Sequence, residues 1–135
     1  MKDEIPVGAV IVKNNKVIAK AYNKREKTQI ATYHAEVIAI QRACKKLKSW
    51  RLDDCDIYVT LEPCPMCAGA IMNARIKNVY YAVTDTDNGG HSRFNLFSNT
   101  LNHSCNCSHV EDFEKENLEL IRKFFKEKRK KQKKQ

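Results

Sequence analysis

The sequence has no apolar run approaching the roughly 18 residues that a membrane span needs. Residues 1–12 do not pair a basic segment with a long apolar one, so no secretory signal is read there. Internal repeats, linkers and low-complexity stretches are also missing, apart from a Lys-rich end. These absences lead to the expectation of a soluble, cytoplasmic protein with no membrane partner. At 135 residues the chain has the length of one domain. That is enough to bury most of its apolar surface in one core. Six cysteines would suggest a disulfide framework in a secreted chain. Without that context they read as reduced thiols or metal ligands.

Acidic residues are scarce in one place. From Arg122 to Gln135 there are nine Lys or Arg and a single acid, Glu127. Residues 1–121 hold 16 basic and 15 acidic side chains, so the body is close to neutral and the end is a basic arm. Such an arm attracts phosphate backbones. A solvated, frayed helix end would have the same composition.

Periodicity divides the chain into short elements. PVGAVIV (6–12) and KVIAKAYN (16–23) read as strands joined by the turn KNNK (13–16). Residues 33–47 show helical spacing, with His34, Val37, Ile38, Gln41 and Leu47 near one face. DIYVTL (56–61) and NVYYAV (78–83) are strands around an Ala-rich helix over 66–75. DTDNGG (85–90) is a loop, 103–110 a last strand, and 111–130 a charged terminal helix. Strands alternating with helices of this length predict an α/β sheet.

Two stretches carry chemistry. In LEPCPMCAGA (61–70), Cys64 and Cys67 stand at a strand-to-helix junction, where free N–H groups favour thiolate. In TYHAEVIAI (32–40), His34 and Glu36 sit in an otherwise apolar run. Each feature alone has an ordinary explanation. A lone histidine is usually structural, and a helix-start glutamate is usually a first-turn charge. A single Cys-x-x-Cys can be a redox pair or half of a four-cysteine zinc knob, although the chain has no second Cys-x-x-Cys. Together, three metal-binding side chains and a carboxylate match the make-up of a catalytic zinc site, which leaves one position open for water.

The combination of His34-Ala35-Glu36 with Pro63-Cys64-Pro65-Met66-Cys67 resembles the zinc-dependent nucleobase deaminase superfamily. PVGAV (6–10), Asn23, the His-Ala-Glu triplet and TLEPCPMCAGA (60–70) look more specifically like the bacterial tRNA adenosine deaminases, from about Glu4 to about Gly89. The resemblance implies a cytidine-deaminase-like three-layer sandwich, a central mixed five-stranded sheet with helices on both faces. It implies a deaminase domain over 1–121 and a basic tail over 122–135 continuing the last helix. The implied activity is conversion of adenosine to inosine at the wobble position of a tRNA anticodon. One Zn2+ per subunit would be held by His34, Cys64 and Cys67, with Glu36 carrying protons between water and base. Asn23, Ile5, Ala35 (through its main chain), Leu61 and Asp85 would contact the substrate. The basic tail would meet RNA phosphates of the anticodon stem-loop, and the subunits would pair as a homodimer.

The sequence departs from that pattern in two regions. Family members normally carry an amphipathic helix before the first strand, whereas Met1–Ile5 alone precede Pro6. Either the sequence is a trimmed or mis-started form, or another surface, such as a partner subunit, covers the apolar face that helix would cover. In the second region GHSRFNLFSN replaces a stretch usually rich in Gly and Ser. There His103, Cys105, Cys107 and His109 alternate along one strand face. Four donors on one straight strand cannot wrap a tetrahedral ion, and the resemblance puts Cys105 and Cys107 at apolar core positions, where a free Cys acts as a small hydrophobe; Cys44 and Cys55 are also expected to be structural. Two other functions compete. A free-base or nucleoside deaminase (guanine or cytosine type) shares the zinc motif but has no use for the basic tail. A non-catalytic RNA-binding module with structural zinc would not need Glu36.

Overall fold

The computed structural model describes residues 7–23, 28–97 and 105–110. Strands β1 (Gly8–Lys13) and β2 (Lys16–Tyr22) form the expected hairpin. Its two-residue turn holds Asn14 and Asn15 at φ 52° and 62°. Positive φ at both central positions gives a turn whose twist matches the strands, and asparagine tolerates it. Next come helix α1 (Ala35–Leu47), β3 (Cys55–Leu61), helix α2 (Pro65–Asn73), β4 (Asn78–Val83) and β5 (Asn106–His109). The sheet order is β2-β1-β3-β4-β5. Pairings β1–β2 and β1–β3 are antiparallel, while β3–β4 and β4–β5 are parallel. This is the mixed five-stranded sheet expected from the sequence. The last strand is shorter than 103–110, and residue 103 lies outside the described residues, as does the expected helix over 111–130.

Alternation sorts the strand residues between two faces. Ala9, Ile11, Ile57, Val59, Val79 and Tyr81 face the main core. Val10 and Tyr58 face the other side, with Val12, Val17, Tyr80 and Ala82 around them. Both described helices pack on the first side. Ala35, Ile38, Ala39 and Ala43 of α1 and Ala68, Ile71 and Met72 of α2 belong to the same cluster. Full burial of a side chain such as Ile57 or Ile71 contributes about 1.5–3 kcal/mol.

The buried face of α1 differs from the one read in the sequence. Gln41 is exposed and Val37 only half-buried. The inward stripe is Ala35, Ile38, Ala39 and Ala43, three of them alanines. Small side chains let the helix axis lie close to β1 and β2, and counting large apolar residues overlooks such a stripe. The helix also begins at Ala35 rather than 33, because His34 has extended backbone.

Candidate metal centre and active site

Register brings the expected contact residues to one end of the sheet. Gly8 pairs with Tyr22, Ala9 with Val59, and Leu61 with Val83. Asn23, Leu61 and Asp85 each lie at or just beyond that edge. The Gly8 N–H donates to Thr60 Oγ1 at 3.0 Å, and the Asn23 N–H donates to the Val7 carbonyl at 3.0 Å. These bonds fasten the start of β1 to the ends of β2 and β3. Asn23 and Leu61 are half-buried, and Ala35 is fully buried. Ile5 lies outside the described residues, as does the basic tail 122–135.

Helices α1 and α2 begin at the same place. His34 is the N-cap of α1 and Cys64 the N-cap of α2. An N-cap side chain usually accepts an N–H from its own helix. His34 makes no such bond. Instead His34 Nδ1 lies 3.7 Å from Cys64 Sγ and 3.5 Å from Cys67 Sγ. All three donor atoms fall within 4.8 Å of one another. Pro65 at the first helical position presets the backbone that presents the two sulfurs.

The thiols share a proton unequally. The Cys67 S–H donates to Cys64 and holds the Cys64 pKa down at about 5. Burial opposes this, while the N–H groups of Cys67 and Met66 and the nearby His34 assist it. The same hydrogen bond, with burial and the Glu36 charge, pushes the Cys67 pKa up. A cation in place of that proton would draw both sulfurs into the thiolate form. Tetrahedral zinc, with bonds of about 2.3 Å to sulfur and 2.0–2.1 Å to nitrogen, sets its donors about 3.5–3.8 Å apart. His34 stands at that spacing from both sulfurs. One nitrogen and two thiol donors therefore fit zinc, with a fourth position left over.

Glu36 is the second residue of α1 and only 4% exposed. Burial raises its pKa from 4.5 to about 7. Its own backbone N–H lowers it, the Cys64 charge raises it, and a hydrogen bond from Cys67 lowers it. A carboxyl that titrates near neutrality can both take and give a proton.

Among the described residues, His34, Cys64 and Cys67 are the one group of potential ligands that converges. Cys105 is buried and Cys107 packs against the core. Cys44 and Cys55 are free thiols, with burial pushing both pKa values up.

Glu62 was not singled out in the sequence. It is 2% exposed and accepts four hydrogen bonds, all from residues 85–92. Burial pushes its pKa up, but donors from Ser92, Asp85 and His91 outweigh that and hold it below 4.5. The signal available was an acid lodged between the end of an apolar strand and Pro63-Cys64. Asp85 is half-buried, and its Oδ1 accepts the N–H groups of Asp87 and Asn88 at 3.2 and 3.0 Å.

A profile of the MafB19-like deaminase family matches residues 1–129. A tRNA-specific adenosine deaminase of Agrobacterium fabrum is 42% identical over 134 residues, covering 95% of this chain and 85% of that protein. The Rickettsia bellii protein of the same name is 53% identical over 90 residues, 65% of this chain. That alignment spans 62% of the Rickettsia protein. A solved structure from work on A-to-I editing by tRNA:A34 deaminases at the wobble position superposes with a TM-score of 0.75. It is 40% identical over 79% of this chain and 84% of the other. Guanine deaminase from Bacillus subtilis superposes with a TM-score of 0.60, at 36% identity over 89% of this chain and 79% of the other.

Proposed function

Given that the chain belongs to the MafB19-like deaminase family and groups with its tRNA-specific adenosine deaminases, we propose that it converts adenosine to inosine at the wobble position of a tRNA anticodon. The observation that carries this reading is the convergence of His34, Cys64 and Cys67 beside a buried Glu36.

In this reading His34, Cys64 and Cys67 hold one Zn2+ per subunit. When bound, zinc supplies Lewis-acid activation of water near neutral pH. Glu36 takes a proton from the water that adds at C6 of adenine. It gives that proton to the ring nitrogen, then takes the proton of the new C6 hydroxyl and passes it to the departing amine, so adenosine and water become inosine and ammonia. Its pKa near 7 suits a group that must be base first and acid afterwards. The buried surroundings of Ala35 and Cys67 keep bulk water from competing for that proton.

Asn23, Leu61, Ala35 and Asp85 surround the base in this scheme, Ile5 closes the pocket, and the arm over 122–135 meets phosphates of the stem. An anticodon loop already holds its bases partly unstacked, which lowers the cost of bringing one to the metal. The same reading has the deaminase domain at 1–121, a cytoplasmic location and a homodimer, the last checked by light scattering.

The deciding experiment incubates zinc-loaded protein with an anticodon stem-loop carrying adenosine at the wobble position, beside a guanosine control. Free guanine and cytosine are assayed for ammonia release in parallel. Inosine in the adenosine hairpin alone is the expected result. The likeness to guanine deaminase favours one alternative. Ammonia from a free base, with no inosine, would move the chain to that branch.

A further inference from the structure

Glu36 and Glu62 are the two charged side chains that the described residues bury. The scheme above uses only the first. A buried carboxylate is costly unless both oxygens find donors. Oε1 of Glu62 takes the Asp85 N–H at 3.0 Å and the Ser92 hydroxyl at 2.7 Å. Oε2 takes the N–H groups of His91 at 2.9 Å and Ser92 at 2.6 Å. Every donor comes from the loop after β4. A separate bond runs the same way, from the Gly90 N–H to the Pro63 carbonyl at 2.7 Å. The loop is thus tied to the two residues immediately before the metal-donor Cys64.

Two glycines permit this closeness. A Cβ on Gly89 would collide with the Glu62 carboxylate. One on Gly90 would lie 2.9 Å from Ala68 Cβ and 3.0 Å from the Pro63 carbonyl. The Gly-Gly step therefore fits a loop pressed against the turn that presents the sulfurs.

We propose that Glu62 is a positioning residue that joins the loop 85–92 and the metal-donor turn 63–67 into one rigid unit. The loop carries Asp85, which the proposed function assigns to the substrate, and the turn carries two metal donors. Joining them fixes where a substrate held by the loop lies relative to the reacting centre. Misplacement of about 1 Å can cost a hundredfold in rate. The inference rests on the deaminase reading and adds how the substrate is placed. A carboxylate that served only stability would leave KM alone.

The test compares zinc-loaded wild type with Glu62→Gln, which keeps the size but turns an NH2 group toward N–H donors. Zinc content, kcat and KM on the wobble-adenosine hairpin, and amide exchange at 85–92, are measured on each. One zinc per chain is expected, with kcat/KM lowered about tenfold or more through both a raised KM and a reduced kcat. Exchange at Asp85, His91 and Ser92 should quicken. Ser92→Ala removes one donor of the four and should shift KM and exchange the same way, by less. That variant decides the matter if Glu62→Gln does not fold. Loss of zinc and kcat together at unchanged KM would overturn the proposal. So would faster loop exchange with wild-type KM and kcat. If wild type makes no inosine, the deaminase reading fails on its own, and hairpin affinity then replaces KM in the same comparison.

Discussion

Glu36 and Glu62 have the same side chain and nearly the same burial, 4% and 2% exposed. Each lies two residues from a metal-donor side chain, His34 or Cys64. Their titrations move in opposite directions. Glu36 starts a helix among alanines and thiols, where burial dominates and the carboxyl holds its proton to about pH 7. Glu62 follows the last residue of β3 and faces a loop that aims three N–H groups and a hydroxyl at it, and it stays ionised. Burial alone therefore does not decide what a carboxyl can do. Depth and the supply of donors decide it together, for Glu36 lies deeper as well as meeting fewer donors. One glutamate is left short of them and can exchange protons. The other is saturated and can only hold.

Removing the proton carrier should give the largest effect. Glu36→Gln should lower the rate of inosine formation by about 10²–10⁴-fold and leave one zinc per chain by metal analysis. Full activity in that variant would end the role given to Glu36. Chelation should abolish activity as well, while amide protection over 85–92 stays at the wild-type level. Loss of loop protection on chelation would instead show that the loop depends on the metal rather than on Glu62.

A contrast between glycines sharpens the other half. Gly89→Ala drives a methyl group into the Glu62 carboxylate and should destabilise the fold by about 1–3 kcal/mol. Gly69 lies inside α2 with nothing within 4 Å of an added Cβ. Gly69→Ala should be neutral or stabilise by up to about 1 kcal/mol through helix propensity. Denaturant midpoints measure both. Equal effects at the two positions would mean that the crowding at Gly89 has no energetic weight.

The two glutamates were not equally legible in the sequence. Glu36 could be read because it completes a spaced pattern with His34, Cys64 and Cys67. The β-strand periods and the Asn14-Asn15 turn were legible for the same reason, since each is local and repeats. Glu62 stands beside that pattern, but its partners are backbone N–H groups from residues 85–92, and no residue type marks an N–H as a donor to a distant carboxylate. In the sequence Gly89 and Gly90 look like ordinary loop composition, although what they register is proximity to Glu62, Pro63 and Ala68. The alanine stripe of α1 escapes a count of large apolar residues, because small residues define a face by letting it approach.

The smallest expected effect is a difference in pH dependence, and its sign follows from the same contrast. The folded-state pKa of Glu62 lies below 4.5. The stability it contributes is therefore present above pH 4.5 and lost as the pH falls through the folded value. For Glu36 the folded value is raised to about 7, so in chelator-treated protein the folded state binds the extra proton between 4.5 and 7. Its contribution then declines as the pH rises through that window. Denaturant midpoints of chelator-treated wild type, Glu36→Gln and Glu62→Gln, taken from about pH 3 to pH 8, separate the two. Glu62→Gln should flatten the acid limb and leave the neutral limb unchanged. Glu36→Gln should do the reverse. If both variants flatten the same limb, the carboxyls are not held in opposite states, and the division between proton carrier and loop anchor fails.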